Sequence, residues 1–113
     1  MGRMVNESKP GARVRITNQF RKRDAMVYDL SCDEVRLTLE ISFREGDHGR
    51  EQWNVEAFAR QAPERPTVND SGETRHDALR AVARAWVDKH GVYGFPTLDW
   101  DAVAAALLAV QAL

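Results

Sequence analysis

The sequence has little cysteine and no long apolar run, and each shortage excludes a class of protein. Its one cysteine, Cys32, cannot form an intramolecular disulfide, which suits a reducing compartment. The longest apolar segment, residues 102–113, has twelve residues. A bilayer span needs roughly 20. No apolar stretch follows the charges of the first residues, so we expect no secretory signal, no membrane span and a cytoplasmic location.

Motifs for metals, cofactors and nucleotides are also lacking. The histidines and Cys32 show no C-x-x-C or H-x-x-x-H spacing, so we predict no zinc site. No glycine-rich phosphate-binding pattern follows a strand-like segment. His48 beside Asp47 has the composition of an acid–base pair, but a polar hairpin tip explains both residues equally well. We therefore expect no catalytic residues and no cofactor.

The sequence does contain enough apolar material for one hydrophobic core. With 113 residues, 43% of them hydrophobic, the chain fits a single domain. Residues 1–12 are mostly polar and include Pro10 and Gly11, so we predict a flexible segment there and one domain over residues 13–113. Residues 1–23 hold seven Lys and Arg against one acid, and the remainder nine against sixteen. This asymmetry of charge either marks a surface that binds a partner or is cancelled within the fold, where the basic strand lies beside acidic strands.

Alternating apolar residues predict four strands in the first half of the chain. The apolar positions that we expect on one face of the sheet are Val14, Ile16, Phe20, Met26, Tyr28, Leu30, Cys32, Val35, Leu37, Leu39, Ile41, Phe43, Trp53, Val55 and Ala57. Thr67 and Val68 could add a short fifth strand. Cys32 falls on this inward side and is interpreted as a small buried hydrophobe.

Two helices are predicted after the strands. Thr74, followed three residues later by Asp77, has the spacing of a capping box. Gly91 is the predicted stop of the first helix. Asp99 is the predicted cap of a second helix that continues to the C-terminus. The stripe of apolar residues that should face the sheet from the first helix consists of Leu79, Val82, Ala83, Trp86 and Val87.

Together these patterns predict an α+β fold: an antiparallel meander of four or five strands, followed by two C-terminal helices packed on one face. We expect a common core that includes Val14, Ile16, Leu37, Leu39, Ile41, Val55, Leu79, Val82 and Trp86. The opposite face of the sheet should then be open to solvent or to a partner.

The basic run at the end of the first strand has two interpretations. The candidates for nucleic-acid contacts are Arg13, Arg15, Arg21, Lys22 and Arg23, of which the first three would form a one-sided basic stripe. A polar hairpin end accounts for Arg21, Lys22 and Arg23 fully, and we favour that interpretation. Single-stranded nucleic acid needs stacking platforms, and the outward positions offer only Phe58. Acids predicted on the same side would repel phosphates: Asp29, Glu34, Glu40 and Glu56.

The segment between the helices and the last helix supply the candidates for protein contacts. Tyr93, Phe95 and Trp100 either anchor the connection on the core or form an exposed aromatic patch for a partner. Leu108 lies away from the stripe of Val103, Leu107 and Val110, so it is a candidate for self-association as a homodimer. We expect a small, non-enzymatic intracellular module that binds protein or has a regulatory role and that self-associates. The alternative is a nucleic-acid-binding protein that uses the basic first strand and the open face of the sheet.

Overall fold

A computed structural model of the chain describes residues 14–45, 51–60, 67–93 and 95–113, with side chains for all of these except 51 and 90–93. The predicted N-terminal segment, Arg13 and His48 lie outside the described residues. Five strands form one antiparallel sheet in chain order: β1 (Val14–Lys22), β2 (Ala25–Cys32), β3 (Val35–Glu45), β4 (Glu51–Ala59) and β5 (Thr67–Gly72). Two helices follow, α1 (Arg75–Tyr93) and α2 (Trp100–Ala109). The predicted α+β meander is confirmed, with five strands.

One face of the sheet carries the core, which the two helices cover. The alternation in β2, β3 and β4 holds as predicted, so that Leu39 lies opposite Tyr28 on one side and Ala57 on the other. Helix α1 packs on β4 and β5, and α2 lies over β1. The predicted core residues of β3, β4 and α1 are buried, whereas Val14 and Ile16 are partly buried at its edge. Val87 was predicted to face the sheet but is 62% exposed, so the apolar stripe of α1 ends at Trp86. The helices thus leave the other face of the sheet uncovered.

The start of α1 is fixed by a cap and by a close contact with the sheet. The Asp77 amide donates to the Thr74 hydroxyl at 3.0 Å, which confirms the predicted cap. At Gly72, a Cβ atom would lie 2.6 Å from the Ala78 nitrogen. The absence of a side chain at Gly72 therefore allows α1 to begin directly against the end of β5.

The C-terminal ends of both helices differ from the sequence prediction, whereas the start of α2 agrees with it. Helix α1 continues through Gly91 to Tyr93, because glycine permits the left-handed conformation but does not require it. The Asp99 carboxylate accepts from the Ala102 amide at 3.1 Å, as predicted for the cap of α2.

Helix α2 ends at Ala109 and not at the terminus. Gln111 is left-handed (φ 61°), and the Ala112 amide donates to the Leu107 carbonyl at 2.8 Å. This is the hydrogen-bond pattern of a Schellman motif, and it buries Ala112.

A β-bulge in β1 changes the face on which its second half lies. The register with β2 shifts between Ile16 and Asn18, so Thr17 has no paired residue. Because side chains alternate along a strand, one extra residue moves every later side chain to the other face. Phe20 consequently lies opposite Val27 and is 44% exposed on the uncovered face. The prediction that Phe20 shares the face of Val14 and Ile16 is therefore wrong.

Candidate functional site

The face of the sheet opposite the helices, here called the open face, contains a shallow apolar depression. Its volume is about 300 Å³, and Phe20, Val27, Thr38 and Phe58 are among the residues that line it. Val27 is 3% exposed although neither α1 nor α2 covers it, so the neighbouring side chains already form a small cluster. The charged residues that complete the lining are Lys22, Asp29, Glu40 and Arg60. An apolar centre with a charged rim results.

Hydrogen bonds hold the polar part of this depression in place. The Thr38 hydroxyl donates to the Asp29 carboxylate at 2.8 Å, and Thr38 itself is 4% exposed. An Arg60 guanidinium nitrogen lies 3.8 Å from the same Asp29 oxygen. On the opposite side, the Lys22 ammonium is 3.9 Å from Glu40. Two of the carboxylates on this face therefore have cationic neighbours, although such exposed pairs contribute little to stability.

A basic row borders the depression at one end of the open face. Arg15 lies opposite Ser31, Ser31 opposite Arg36, and the Arg60 amide donates to the Arg36 carbonyl at 2.9 Å. The arginines of β1 and β3 and the one after β4 thus form one cross-strand row. A second hollow of about 280 Å³, lined by Thr17, Ser31, Arg36 and Arg60 among others, lies beside this row.

The nucleic-acid candidates do not form the single stripe that the sequence predicted. Arg15 is on the open face, but the bulge turns Arg21 to the helix side, where it lies opposite Met26. Lys22 ends β1 on the open face, and Arg23 lies in the two-residue turn with φ 55°. Strict alternation cannot anticipate this division, because the inserted residue is visible only in the pairing with β2.

Two open-face features also differ from the sequence interpretation. The bulge brings Phe20 to the same depression as Phe58, whereas alternation left Phe58 as the only outward aromatic. Glu34 lies in the turn between β2 and β3 and not on the sheet face. The only signal for the bulge was a polar residue, Asn18, at a predicted inward position.

The aromatic connection between the helices is anchored on the core. Phe95 is 7% exposed, and its ring centroid lies 4.8 Å from that of Trp86. Trp100 is partly buried at 5.7 Å from Trp86, whose indole N–H donates to the Pro96 carbonyl at 2.8 Å. Phe95 is therefore not available as a surface contact, and the anchoring interpretation holds for both residues. The Tyr93 side chain lies outside the described residues.

The remaining candidates are one exposed leucine and one buried cysteine. Leu108 is 54% exposed on α2, whereas Val103 and Leu107 are buried. Val110, predicted in the same stripe, is exposed because α2 has already ended. Cys32 is buried as predicted, and burial together with the neighbouring Asp33 carboxylate raises the pKa of its thiol to about 11.

No protein-family model, curated protein or solved structure is significantly similar to the chain. Among the described residues, no group of three His, Cys, Asp or Glu side chains is placed to hold a metal ion. In the same part of the chain, neither helix combines the length and the hydropathy that a membrane crossing requires.

Proposed function

We propose that the protein is a non-enzymatic module that binds another protein through its open face. One observation carries the proposal: the uncovered face holds an apolar depression between Phe20 and Phe58 with charged residues around it. Protein interfaces commonly combine an apolar centre with a polar rim. Exposed aromatic side chains at such a centre are frequent sources of binding energy.

The charges of the open face indicate what the partner should present. Arg15, Arg36 and Arg60 lie in one row at one end, while Glu40 and Glu56 lie opposite each other nearer the middle. A partner with an apolar side chain for the depression and a carboxylate for the basic row complements this arrangement. The mixed signs favour a protein over a uniformly charged polymer.

Affinity capture with matched variants tests the proposal. Phe20→Asp introduces a charge at the depression, and Val87→Asp introduces the same charge at an exposed position of α1. We expect the protein that is captured with the wild type to be lost with Phe20→Asp and retained with Val87→Asp, with circular dichroism showing that both variants are folded. Equal capture by both variants would contradict the use of the open face.

We propose in addition that two copies associate through α2. From Ala102 to Leu113 the chain contains no charged residue, and Leu108 projects from this segment with 54% of its surface exposed. A second copy related by a two-fold axis would bury the same side chain from both partners. This contact uses a different element from the open face, so the two proposals can fail independently.

Nucleic-acid binding is the second candidate, and the bulge favours it. Phe20 now accompanies Phe58 beside the arginine row, so a stacking platform and cations lie on one face. Glu40 and Glu56 on the same face disfavour nucleic-acid binding, because carboxylates repel phosphates. We therefore expect no binding of a mixed-sequence single-stranded oligonucleotide at physiological salt, as measured by fluorescence anisotropy.

Two variants make that measurement decisive. Arg36→Gln removes a cation from the open face, and Arg21→Gln removes one from the helix side. Micromolar binding that is weakened by Arg36→Gln and unchanged in Arg21→Gln would replace the protein-binding proposal with the nucleic-acid one. Its salt slope should then fall by about 0.7 for each lost contact with a single strand.

A further inference from the structure

A separate groove lies on the helix side of the sheet. Helix α1 packs on β4 and β5 and α2 lies over β1, and the groove lies near the start of α1 and just after the end of α2. Met26, Tyr28 and Ile41 of β2 and β3 line the groove from the sheet. Arg75 in the first turn of α1 and Ala112 after α2 line it from the two helices.

Aromatic side chains form one wall of this groove. The rings of Phe43 and Trp53 meet edge to face with their centroids 5.0 Å apart. The guanidinium carbon of Arg75 lies 5.1 Å from the centroid of the Trp53 ring. Stacking on an indole restricts the guanidinium while its N–H groups stay able to donate to an anion. Arg75 is thus held in position beside an aromatic surface.

The charges that line the groove favour an anion. Arg21, turned to this side by the bulge, and Arg75 contribute two cations, and Asp24 contributes one carboxylate. Within the described parts of the chain, neither Arg21 nor Arg75 forms an ion pair. The two guanidinium groups therefore have no carboxylate partner among these residues. A ligand carboxylate would supply one.

The groove has room for about one ring. Its volume is about 190 Å³. Sites for drug-sized molecules typically have about 300–1,000 Å³. The apolar lining from Met26, Tyr28 and Ile41 suits an aromatic ring, and the cations lie at the same site.

We propose that the helix-side groove binds a small carboxylate that carries one aromatic ring. The ring packs against the apolar lining of Met26, Tyr28 and Ile41. The carboxylate accepts hydrogen bonds from Arg75, with Arg21 contributing charge. This site is independent of the open face, because its lining residues lie on the opposite side of the sheet. The binding of an amine by the aromatic wall is disfavoured, since Arg75 already occupies the face of Trp53.

A titration with three matched probes tests the ligand chemistry. 3-Phenylpropionate, 3-phenylpropionamide and 3-phenylpropylamine share the ring and differ in charge, and binding is followed by ¹H–¹⁵N correlation spectra of the full chain. We expect the carboxylate to bind most tightly and to shift the Trp53 indole signal together with the amides of Met26 and Ile41. Added salt should weaken the binding of 3-phenylpropionate and leave the binding of 3-phenylpropionamide unchanged.

Three variants test the residues. We expect Arg75→Gln and Arg21→Gln each to lower the affinity for 3-phenylpropionate by about threefold or more. Arg84→Gln, which alters an exposed position of α1, is the control and should leave the affinity unchanged. Binding of the amine as tightly as the carboxylate, the absence of any shift at the groove, or full affinity in Arg75→Gln would each overturn the proposal.

Discussion

Replacing Phe20 by alanine tests the bulge in β1 through its effect on stability. If β1 alternated without interruption, Phe20 would share the core face with Val14 and Ile16, and its truncation would cost about 3–5 kcal/mol. In the structure Phe20 is 44% exposed on the open face, on the side of the sheet opposite α1 and α2. Truncation then removes only part of the roughly 1.5–3 kcal/mol that full burial of such a side chain provides. We expect a cost of about 1 kcal/mol.

Leu39→Ala is the matched control from the centre of the same sheet. Leu39 is 0% exposed and lies between Tyr28 and Ala57 in the neighbouring strands. Its truncation leaves a cavity that the surrounding strands cannot close, so we expect a loss of about 2–5 kcal/mol. A loss below about 0.5 kcal/mol would show that the core lies on the other face.

Equilibrium unfolding in urea measures both variants. The free energy of unfolding is compared at unchanged m-value, so that a shift of the midpoint reports stability and not a change in the unfolded state. The bulge is refuted if Phe20→Ala is destabilised as much as Leu39→Ala. A cost for Phe20→Ala well below that of Leu39→Ala supports the placement of Phe20 on the open face.

Further predictions concern a helix cap, the second helix and the cysteine. Thr74→Ala should destabilise the fold by about 0.5–2 kcal/mol in the same assay, because the Asp77 amide loses its acceptor, and an unchanged midpoint would contradict the cap. Leu108→Glu should give a folded monomer by sedimentation velocity, whereas Leu107→Glu should unfold the chain because Leu107 is fully buried. A wild type that sediments as a monomer at high micromolar concentration would refute self-association. Burial raises the pKa of the Cys32 thiol from 9.0 to about 11, so little of the reactive thiolate is present at pH 8. Cys32 should therefore react more slowly with an aromatic disulfide in the folded protein than in the urea-unfolded chain. Equal rates would contradict the burial.

Much of the architecture follows from local pattern alone. The alternation from Val35 to Phe43 predicts a strand whatever lies beside it, because successive side chains point to opposite faces. Thr74 and Asp99 begin helices through bonds to amides three residues away, so both caps are readable without tertiary information. The order of the elements and the two-layer fold were determined by these features.

The sites depended on contacts between distant segments. Thr17 becomes a bulge only through its pairing with β2, and this one residue moves Phe20 to the open face and Arg21 to the helix-side groove. The groove combines residues from β2, β3, β4, α1 and the segment after α2, and their separate sequences do not specify that these meet. The sequence by itself determined which segments form strands and helices, since that information lies within a few residues. Only the tertiary structure decided which side chains meet, because register and helix placement are set by packing across the whole sheet.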